Sequence, residues 1–275
     1  MTVTLTQLYV PADRADRAHK AMASSADVVI LDLEDAVAPA AKVPARDAVP
    51  EIVAAFPGRP VQVRVNAASS PWGAADLAMV ATLPATVGVR VPKVAVAADV
   101  NRVRDAVGGR DVHGLIETAA GVENAGELAR TPGVASIALG EADLRSDLGI
   151  SADEGLAWCR QRVVVAARAV GLPAPAMAVY TDLNDLEGLA ESSRRGRRLG
   201  FVGRAAIHPK QLPVIEAAFA PDDGEVARAR EVIAAVEEAQ AVGDGTAVLP
   251  DGAFLDVAMV DQARRILTLA ARARE

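Results

Sequence analysis

The sequence predicts an α/β protein, a (β/α)8 TIM barrel that continues into a C-terminal helical extension. Eight short runs rich in valine, isoleucine and leucine recur along the 275 residues, with amphipathic stretches between them. Such runs are typical of parallel strands that are buried on both faces, and eight strand–helix units in about this length suit a barrel. A doubly wound open sheet is the alternative, but the glycine-rich phosphate loop expected after one of its early strands is absent.

The predicted strands and helices alternate along the chain. Strands are predicted at residues 5–10, 28–31, 61–65, 88–91, 112–116, 134–139, 176–179 and 200–207. Helices are predicted at residues 13–23, 42–55, 72–82, 99–107, 121–130, 151–170, 182–198 and 209–219. After this barrel domain of residues 1–220, an extension of residues 221–275 carries two further predicted helices, 225–242 and 256–274. An extension of this kind is expected to act as a lid or as an arm on a neighbouring subunit.

Composition excludes several classes of protein. The net charge of −7 argues against a nucleic-acid surface, and the basic residues 194–198 are interpreted as the solvated end of a helix. The single cysteine, Cys159, is predicted to be a core residue and not a nucleophile. Since no apolar run approaches the roughly 20 residues that span a bilayer, and no basic leader opens the chain, we expect a cytoplasmic protein without a membrane partner.

Charged side chains cluster directly after the predicted strands, at the edge where a barrel places its active site. They are Asp32, Glu34, Asp35, Arg64, Lys93, Glu117 and Asp143. Because the group is rich in oxygen ligands and lacks cysteine and histidine, it favours Mg²⁺, or Mn²⁺, over Zn²⁺.

Each residue of this group also has an alternative interpretation. Glu117 and Asp143 each suit the first turn of a helix, and Arg64 suits a structural ion pair. Lys93 suits a solvated lysine or a Schiff-base lysine. The adjacent acids disfavour the Schiff base, because nearby anions raise the pKa of a lysine.

Several motifs occur in a fixed order along nearly the whole chain. They are residues 8–14 (LYVPADR), 30–37 (ILDLEDAV), Lys42 with Arg46, 63–66 (VRVN), 92–93 (PK), 116–119 (IETA), 140–144 (GEADL), 205–211 (AAIHPKQ) and 251–256 (DGAFLD). Together they resemble the citrate lyase β-subunit-like family of the HpcH/HpaI aldolase superfamily, which is related to malyl-CoA and citramalyl-CoA lyases.

The resemblance assigns roles to residues of the predicted barrel. It implies that Glu117 and Asp143 ligate Mg²⁺, with Glu117 also contacting substrate, and that Glu34 or Asp35 holds metal-bound water. Arg64 is expected to bind the substrate and take part in catalysis. Two further residues, Arg14 and Lys42, are expected to contact a CoA phosphate. His208 suits either a helix cap or direct substrate contact.

The extension is expected to supply a catalytic acid. The resemblance assigns this role to Asp256, on a lid that reaches a neighbouring subunit, although Asp256 also suits a helix N-cap. Asp261 mimics the motif but fits the register of the helix poorly. Ala253, Ala258 and Arg204 depart from the lysine, proline and lysine of the family pattern.

The resemblance implies a Mg²⁺-dependent carbon–carbon lyase that acts on a β-hydroxyacyl-CoA such as malyl-, citramalyl- or citryl-CoA. A thioesterase for malyl-CoA-type esters, a citrate lyase β subunit that works within a complex, and a free-acid aldolase are the alternatives. We expect a homo-oligomer, a trimer or a hexamer. The acyl group, and the choice between CoA and an acyl-carrier protein, stay open at this point.

Overall fold

The computed structural model describes residues 3–241, 247–248, 254–255 and 257–272. The chain divides into two compact units, residues 4–215 and the residues from 216 onward, so the division lies near the predicted boundary at residue 220. Within the described residues, no helix combines the length and hydropathy needed to cross a membrane.

A parallel seven-stranded sheet forms the centre of the first unit, in the order β6-β5-β4-β3-β2-β1-β7. The strands are β1 (Thr6–Pro11), β2 (Val28–Asp32), β3 (Val61–Arg64), β4 (Gly88–Val91), β5 (Val112–Ile116), β6 (Val134–Leu139) and β7 (Arg204–Ala206). Their apolar side chains are buried; Val29, Ile30 and Leu31 of β2, for example, have no exposed surface. This confirms the α/β class and the runs predicted for these seven strands.

The seventh predicted strand, residues 176–179, is not a strand in the structure. Its pairing is one bridge, between Met177 and Arg204, with hydrogen bonds from the Met177 N–H to Gly203 O and from the Ala205 N–H to Met177 O, both 3.0 Å. Pro173 and Pro175 precede it and have no N–H to donate to a neighbouring strand. The described sheet therefore has seven strands where eight were predicted.

Helices follow most of the strands and cover the sheet. In the first unit they are α1 (Ala15–Met22), α2 (Lys42–Ala54), α3 (Gly73–Thr82), α4 (Ala97–Ala106), α5 (Ala119–Glu123), α6 (Ala125–Arg130), α7 (Glu141–Leu148), α8 (Ala157–Arg168) and α9 (Leu186–Arg198), and α10 (Leu212–Phe219) contains the division at residue 215. The sequence did not predict α7, because among its residues Leu144 alone is buried and no apolar stripe forms.

The second unit is built from α11 (Asp223–Ala241) and α12 (Val257–Arg272), which confirms its predicted helices. Between them, β8 (Ala247–Val248) and β9 (Phe254–Leu255) pair antiparallel, a feature that two-residue strands are too short to reveal as a pattern. An apolar cluster packs within this unit; its buried members are Ala229, Val232, Leu255, Val260 and Ala263.

The turn before β7 gives a test of the packing in the first unit. Gly203 and Gly171 both have φ of 75°, but a Cβ on Gly203 would lie 2.4 Å from Leu5 O whereas a Cβ on Gly171 meets nothing within 4 Å. We expect Gly171→Ala to cost about 1 kcal/mol of unfolding free energy from backbone strain alone, and Gly203→Ala about 2 kcal/mol more because Leu5 must move. Urea unfolding of both variants measures the difference, and equal losses would contradict the packing.

Candidate active site

The charged residues predicted at the strand ends do meet around one cavity. The register pairs Asp32 of β2 with Arg64 of β3, and Arg64 with Arg90 of β4, so three charged side chains lie side by side. Glu117 follows β5, and Asp143 lies in the first turn of α7, after β6. A cavity of about 760 Å³ is lined by Asp32, Asp35, Arg64, Glu117 and Asp143.

Arg64 is held in place by a bidentate ion pair. Its Nε and Nη2 lie 2.7 and 2.6 Å from the two carboxylate oxygens of Asp32, and its Nη1 lies 2.9 Å from Glu34 Oε2 and 3.1 Å from Asp35 Oδ2. The guanidinium also stacks on Tyr9, 5.0 Å from the ring centroid. Thus the predicted ion pair exists, and the same guanidinium lines the cavity.

Glu34 is an ionisable residue in a buried position. Burial, with smaller contributions from the charges of Asp35 and Asp32, raises its pKa to about 7, although the charges of Arg64 and Lys93 oppose the shift. Despite the short Arg64 contact, Glu34 Oε2 has no well-oriented hydrogen bond among the described residues. A buried carboxylate oxygen without a donor suits a ligand or a water that brings one.

Lys93 contacts three carboxylates from a backbone conformation that side chains rarely adopt. Its φ is 56°, the one positive value among the described non-glycine residues. Its N–H donates to Glu117 Oε2 at 2.9 Å, and its Nζ lies 3.7 Å from both Glu34 Oε1 and Asp143 Oδ2. Burial acts to lower the Lys93 pKa, but these acids outweigh it and raise the pKa, which is unfavourable for a Schiff-base lysine.

Glu117 is the most perturbed acid of the site. Burial, followed by the charges of Glu34 and Asp143, raises its pKa to about 8. The chain leaves room for its carboxylate by having Gly140 after β6, because a Cβ at Gly140 would lie 2.2 Å from Glu117 Oε1. This explains the glycine of the GEADL motif.

The cluster suits a divalent cation. Five carboxylates (Asp32, Glu34, Asp35, Glu117 and Asp143) face two cations (Arg64 and Lys93), so the ionised cluster carries excess negative charge. Within the described ranges, no group of three or more His, Cys, Asp or Glu side chains has metal-binding geometry. Two carboxylates with several waters or substrate oxygens are a usual set for Mg²⁺, so Glu117 and Asp143 fit it.

The residues predicted to contact CoA lie in different environments. Lys42 is buried, and its Nζ donates to Leu33 O at 2.8 Å and Glu34 O at 2.7 Å, so it holds the loop that carries Glu34. Arg14 is exposed at the start of α1 and lies 3.8 Å from Asp16. Contact of either residue with a CoA phosphate stays a prediction.

Three other predictions concern residues outside the carboxylate cluster. His208 caps the short 3-10 helix Pro209–Gln211, accepting a hydrogen bond from the Lys210 N–H at 3.1 Å. Cys159 is buried in α8, as predicted for a core residue. The basic residues 194–198 do end a helix, α9.

The structure describes one of the two candidate acids of the extension. Asp256 lies outside the described residues, so its catalytic role stays a prediction. Asp261 is exposed on α12 and pairs with Arg264 at 3.7 Å, one turn along the same helix.

The sequence analysis did not identify Arg90, a buried residue that lines the cavity, or its glutamine partners. Arg90 is 3% exposed, and its guanidinium donates to Gln62 Oε1 at 2.8 Å and to Gln7 Oε1 at 2.6 Å. It also stacks on Tyr9 at 5.8 Å, on the ring that Arg64 contacts. An arginine in the middle of an apolar strand, GVRV, was the available signal, because a buried charge requires partners.

Comparisons with known proteins show the family of the chain. Residues 5–209 match the HpcH/HpaI aldolase/citrate lyase family. A (3S)-malyl-CoA thioesterase of Cereibacter sphaeroides is 36% identical over 272 residues, covering 96% of this chain and 93% of that protein. An L-malyl-CoA/beta-methylmalyl-CoA lyase of the same species is 34% identical, covering 95% and 92%.

A solved structure extends the similarity to three dimensions. CitE of Mycobacterium tuberculosis, in complex with magnesium, acetoacetate and coenzyme A, has a TM-score of 0.83 and 34% identity, and 98% of each chain is covered. The motifs, the family match and this structural similarity agree along the chain, and the protein belongs to the HpcH/HpaI aldolase/citrate lyase family.

Proposed function

We propose that the protein is a Mg²⁺-dependent carbon–carbon lyase that cleaves or forms a β-hydroxyacyl-CoA of the malyl-, citramalyl- or citryl-CoA type. The observation that carries the proposal is the cavity of about 760 Å³ in which Glu117 and Asp143 face excess negative charge beside Arg64. The similar CitE structure contains magnesium and coenzyme A, which supports both the metal and the thioester.

Glu117 and Asp143 would hold the metal, with Glu34 and Asp35 placed to accept hydrogen bonds from its waters. Bound Mg²⁺ supplies Lewis-acid stabilisation of the negative charge that develops on the substrate oxygens. Arg64, which Asp32 orients through Nε and Nη2, directs Nη1 to the side where Asp35 lies and binds a substrate carboxylate there. Asp256, from the extension of a neighbouring subunit, would transfer the proton at the α-carbon of the acyl-CoA product.

Hydrolysis is the second candidate reaction. It is favoured by the 36% identity to a (3S)-malyl-CoA thioesterase, compared with 34% to the malyl-CoA lyase. The same carboxylates and Arg64 would bind the ester while water attacks the thioester carbonyl. In either reaction we propose a cytoplasmic homotrimer or hexamer in which the extension acts as a lid.

The two reactions are separated by their products. With malyl-CoA and Mg²⁺, we expect glyoxylate and acetyl-CoA in equal amounts, because the lyase breaks a carbon–carbon bond. Mass spectrometry of the quenched reaction measures both products. Malate with free CoA, and no glyoxylate, would establish the thioesterase instead, and absence of turnover on malyl-, citramalyl- and citryl-CoA alike would contradict both.

Substitution of Asp143 tests the metal site and should leave the fold intact, because its side chain is 42% exposed. We expect Asp143→Ala to lower kcat/KM by more than about 100-fold, since loss of a ligand weakens Mg²⁺ at least as much as loss of a supporting contact. Asp105→Ala is the control, because Asp105 is an exposed carboxylate of α4 that pairs with its neighbour Arg104. Circular dichroism checks folding, and Mg²⁺-dependent turnover of Asp143→Ala at the control's rate would overturn the assignment.

The raised pKa of Glu117 predicts how pH changes stability. Since the folded pKa is about 8 against an ordinary 4.5, the metal-free protein is stabilised at low pH and loses that stability as pH rises from about 4.5 to about 8. Mg²⁺ binds the ionised carboxylate, so the rise in Tm on adding Mg²⁺ should be larger at pH 8.5 than at pH 6.

Glu117→Gln should flatten the pH dependence of Tm and reduce the Mg²⁺-induced rise, whereas Glu123→Gln, at an exposed position of α5, should change neither. Differential scanning calorimetry at several pH values measures these shifts. A Mg²⁺ effect that is the same at pH 6 and pH 8.5 in the wild type would contradict the role of Glu117.

A further inference from the structure

A buried arginine lines the same cavity as the carboxylate cluster but has no hydrogen bond to a carboxylate among the described residues. Arg204, the first residue of β7, is 3% exposed. Its Nη2 donates to Ser192 Oγ at 2.9 Å and contacts Met177 Sδ at 3.1 Å, and its guanidinium lies 5.8 Å from the Tyr180 ring centroid. Its Nε is buried without an acceptor among the described residues.

The nearest acids are already engaged by other arginines. Both oxygens of Glu141 accept from Arg160, each at 2.7 Å. Asp153 accepts from Arg160 at 2.8 Å and from Arg145 at 2.7 Å, and the hydrogen bonds from Arg160 lower the pKa of Asp153 to about 2. Glu141 and Asp153 therefore act on Arg204 through space, without a hydrogen bond to it among the described residues, and their charges compensate its guanidinium only in part.

Arg204 differs in this respect from the other arginines whose Nε is buried and unbonded. Arg59 donates to Ser24 O and Ala26 O, and Arg110 donates to the carbonyls of Ala81, Leu83 and Pro84. Backbone oxygens thus satisfy those two guanidiniums, whereas a hydroxyl and a thioether, both weaker acceptors, are what Arg204 has. Burial lowers the pKa of Arg204 to about 10, as expected for an undercompensated charge.

The surroundings are suited to an anion. Ser192 Oγ accepts from Arg204 Nη2 at 2.9 Å and lines the cavity with it, so the Ser192 hydroxyl can donate to a ligand there. Tyr180 donates its hydroxyl to Asp185 at 2.6 Å and leaves its ring face to the guanidinium. Arg160 lines this cavity together with its partners Glu141 and Asp153, so Arg204 is the guanidinium of the two that has no carboxylate hydrogen bond among the described residues.

We propose that Arg204 and Ser192 form a binding subsite for an oxyanion, the carboxylate or phosphate group of a ligand that enters this cavity. The planar guanidinium with a buried Nε offers the paired donors that such groups accept in bidentate fashion. The subsite needs neither Mg²⁺ nor a thioester, so it is tested independently of the proposed reaction.

Thermal unfolding of the metal-free protein tests the subsite, with inorganic phosphate and succinate as probes and sodium chloride at matched ionic strength as reference. We expect at least one probe to raise the wild-type Tm by about 2 °C or more. A rise with phosphate alone indicates a phosphate ligand, and a rise with succinate alone a carboxylate ligand. If neither probe shifts Tm relative to chloride, the proposal is overturned.

Two arginine variants test whether the probe-induced rise in Tm comes from binding at Arg204. Arg204→Met should remove the probe-induced shift and also raise Tm in chloride, because it replaces an undercompensated buried charge with an apolar side chain of similar length. Arg194→Met, on the exposed surface of α9 where Arg194 pairs with Glu191, should keep the wild-type shift. A probe-induced shift that survives Arg204→Met places the anion elsewhere and contradicts the proposal.

A third variant keeps the test decisive if Arg204→Met does not fold. Ser192→Ala removes the second donor and leaves the guanidinium, so isothermal titration should show weaker binding of the active probe than in the wild type, with the fold unchanged. Binding as tight as that of the wild type would exclude Ser192 from the subsite and overturn the pair as proposed.

Discussion

The bidentate ion pair between Arg64 and Asp32 is the contact on which the rest of the site depends. It joins the ends of β2 and β3 through two hydrogen bonds of 2.7 and 2.6 Å. The same Asp32 oxygens accept the backbone N–H groups of Glu34 and Ala36, so the ion pair also shapes the loop that follows β2. Lys42 holds that loop from the other side, and together these contacts bring the buried Glu34 carboxylate close to Lys93.

Electrostatic imbalance follows from this arrangement. Asp32 is committed to Arg64 through both oxygens, and the charges of Arg64 and Lys93 compensate Glu34 and Glu117 incompletely, so burial raises the pKa of both acids. Lys93 lies between Glu34 and Asp143 through a positive φ of 56°. A strained backbone of this kind persists where the surroundings fix it, and such positions are frequent at functional sites.

The sequence predicts much of the sheet because buried parallel strands have a simple signature. The strands at 88–91, 112–116 and 134–139 have the predicted bounds, since each is a short apolar run between polar segments. Residues 176–179 carry the same signature but form a single bridge, because strand formation also needs donors that the nearby prolines lack. Helix α7 forms although the sequence did not predict it, because it presents no apolar stripe.

In the candidate site too, the local sequence pattern predicts the positions of some residues, and tertiary packing determines their contacts. The positions of Glu117 and Asp143 follow from their place after a strand, as predicted, whereas the partners of Arg90 come from two other strands, Gln62 of β3 and Gln7 of β1, which only the folded sheet brings close to it. Lys42 lies in a recognisable motif, but its contacts with Leu33 O and Glu34 O become visible only in the folded chain. Spacing along the chain thus predicts which residues reach the strand ends, and packing determines what each of them contacts.

The lining of the cavity carries both cationic and anionic side chains, and this has a consequence for ligand choice. The whole chain carries a net charge of −7, which repels anionic ligands at long range. Screening limits that repulsion to about 8 Å at physiological ionic strength, so binding is governed by the local charges of the cavity. Arg204 attracts an anionic group where it lines the cavity, while a divalent cation would offset the carboxylates of the cluster. A ligand with separate anionic groups can meet both, whereas an uncharged ligand leaves Arg204 with the partial compensation that Glu141 and Asp153 give it through space.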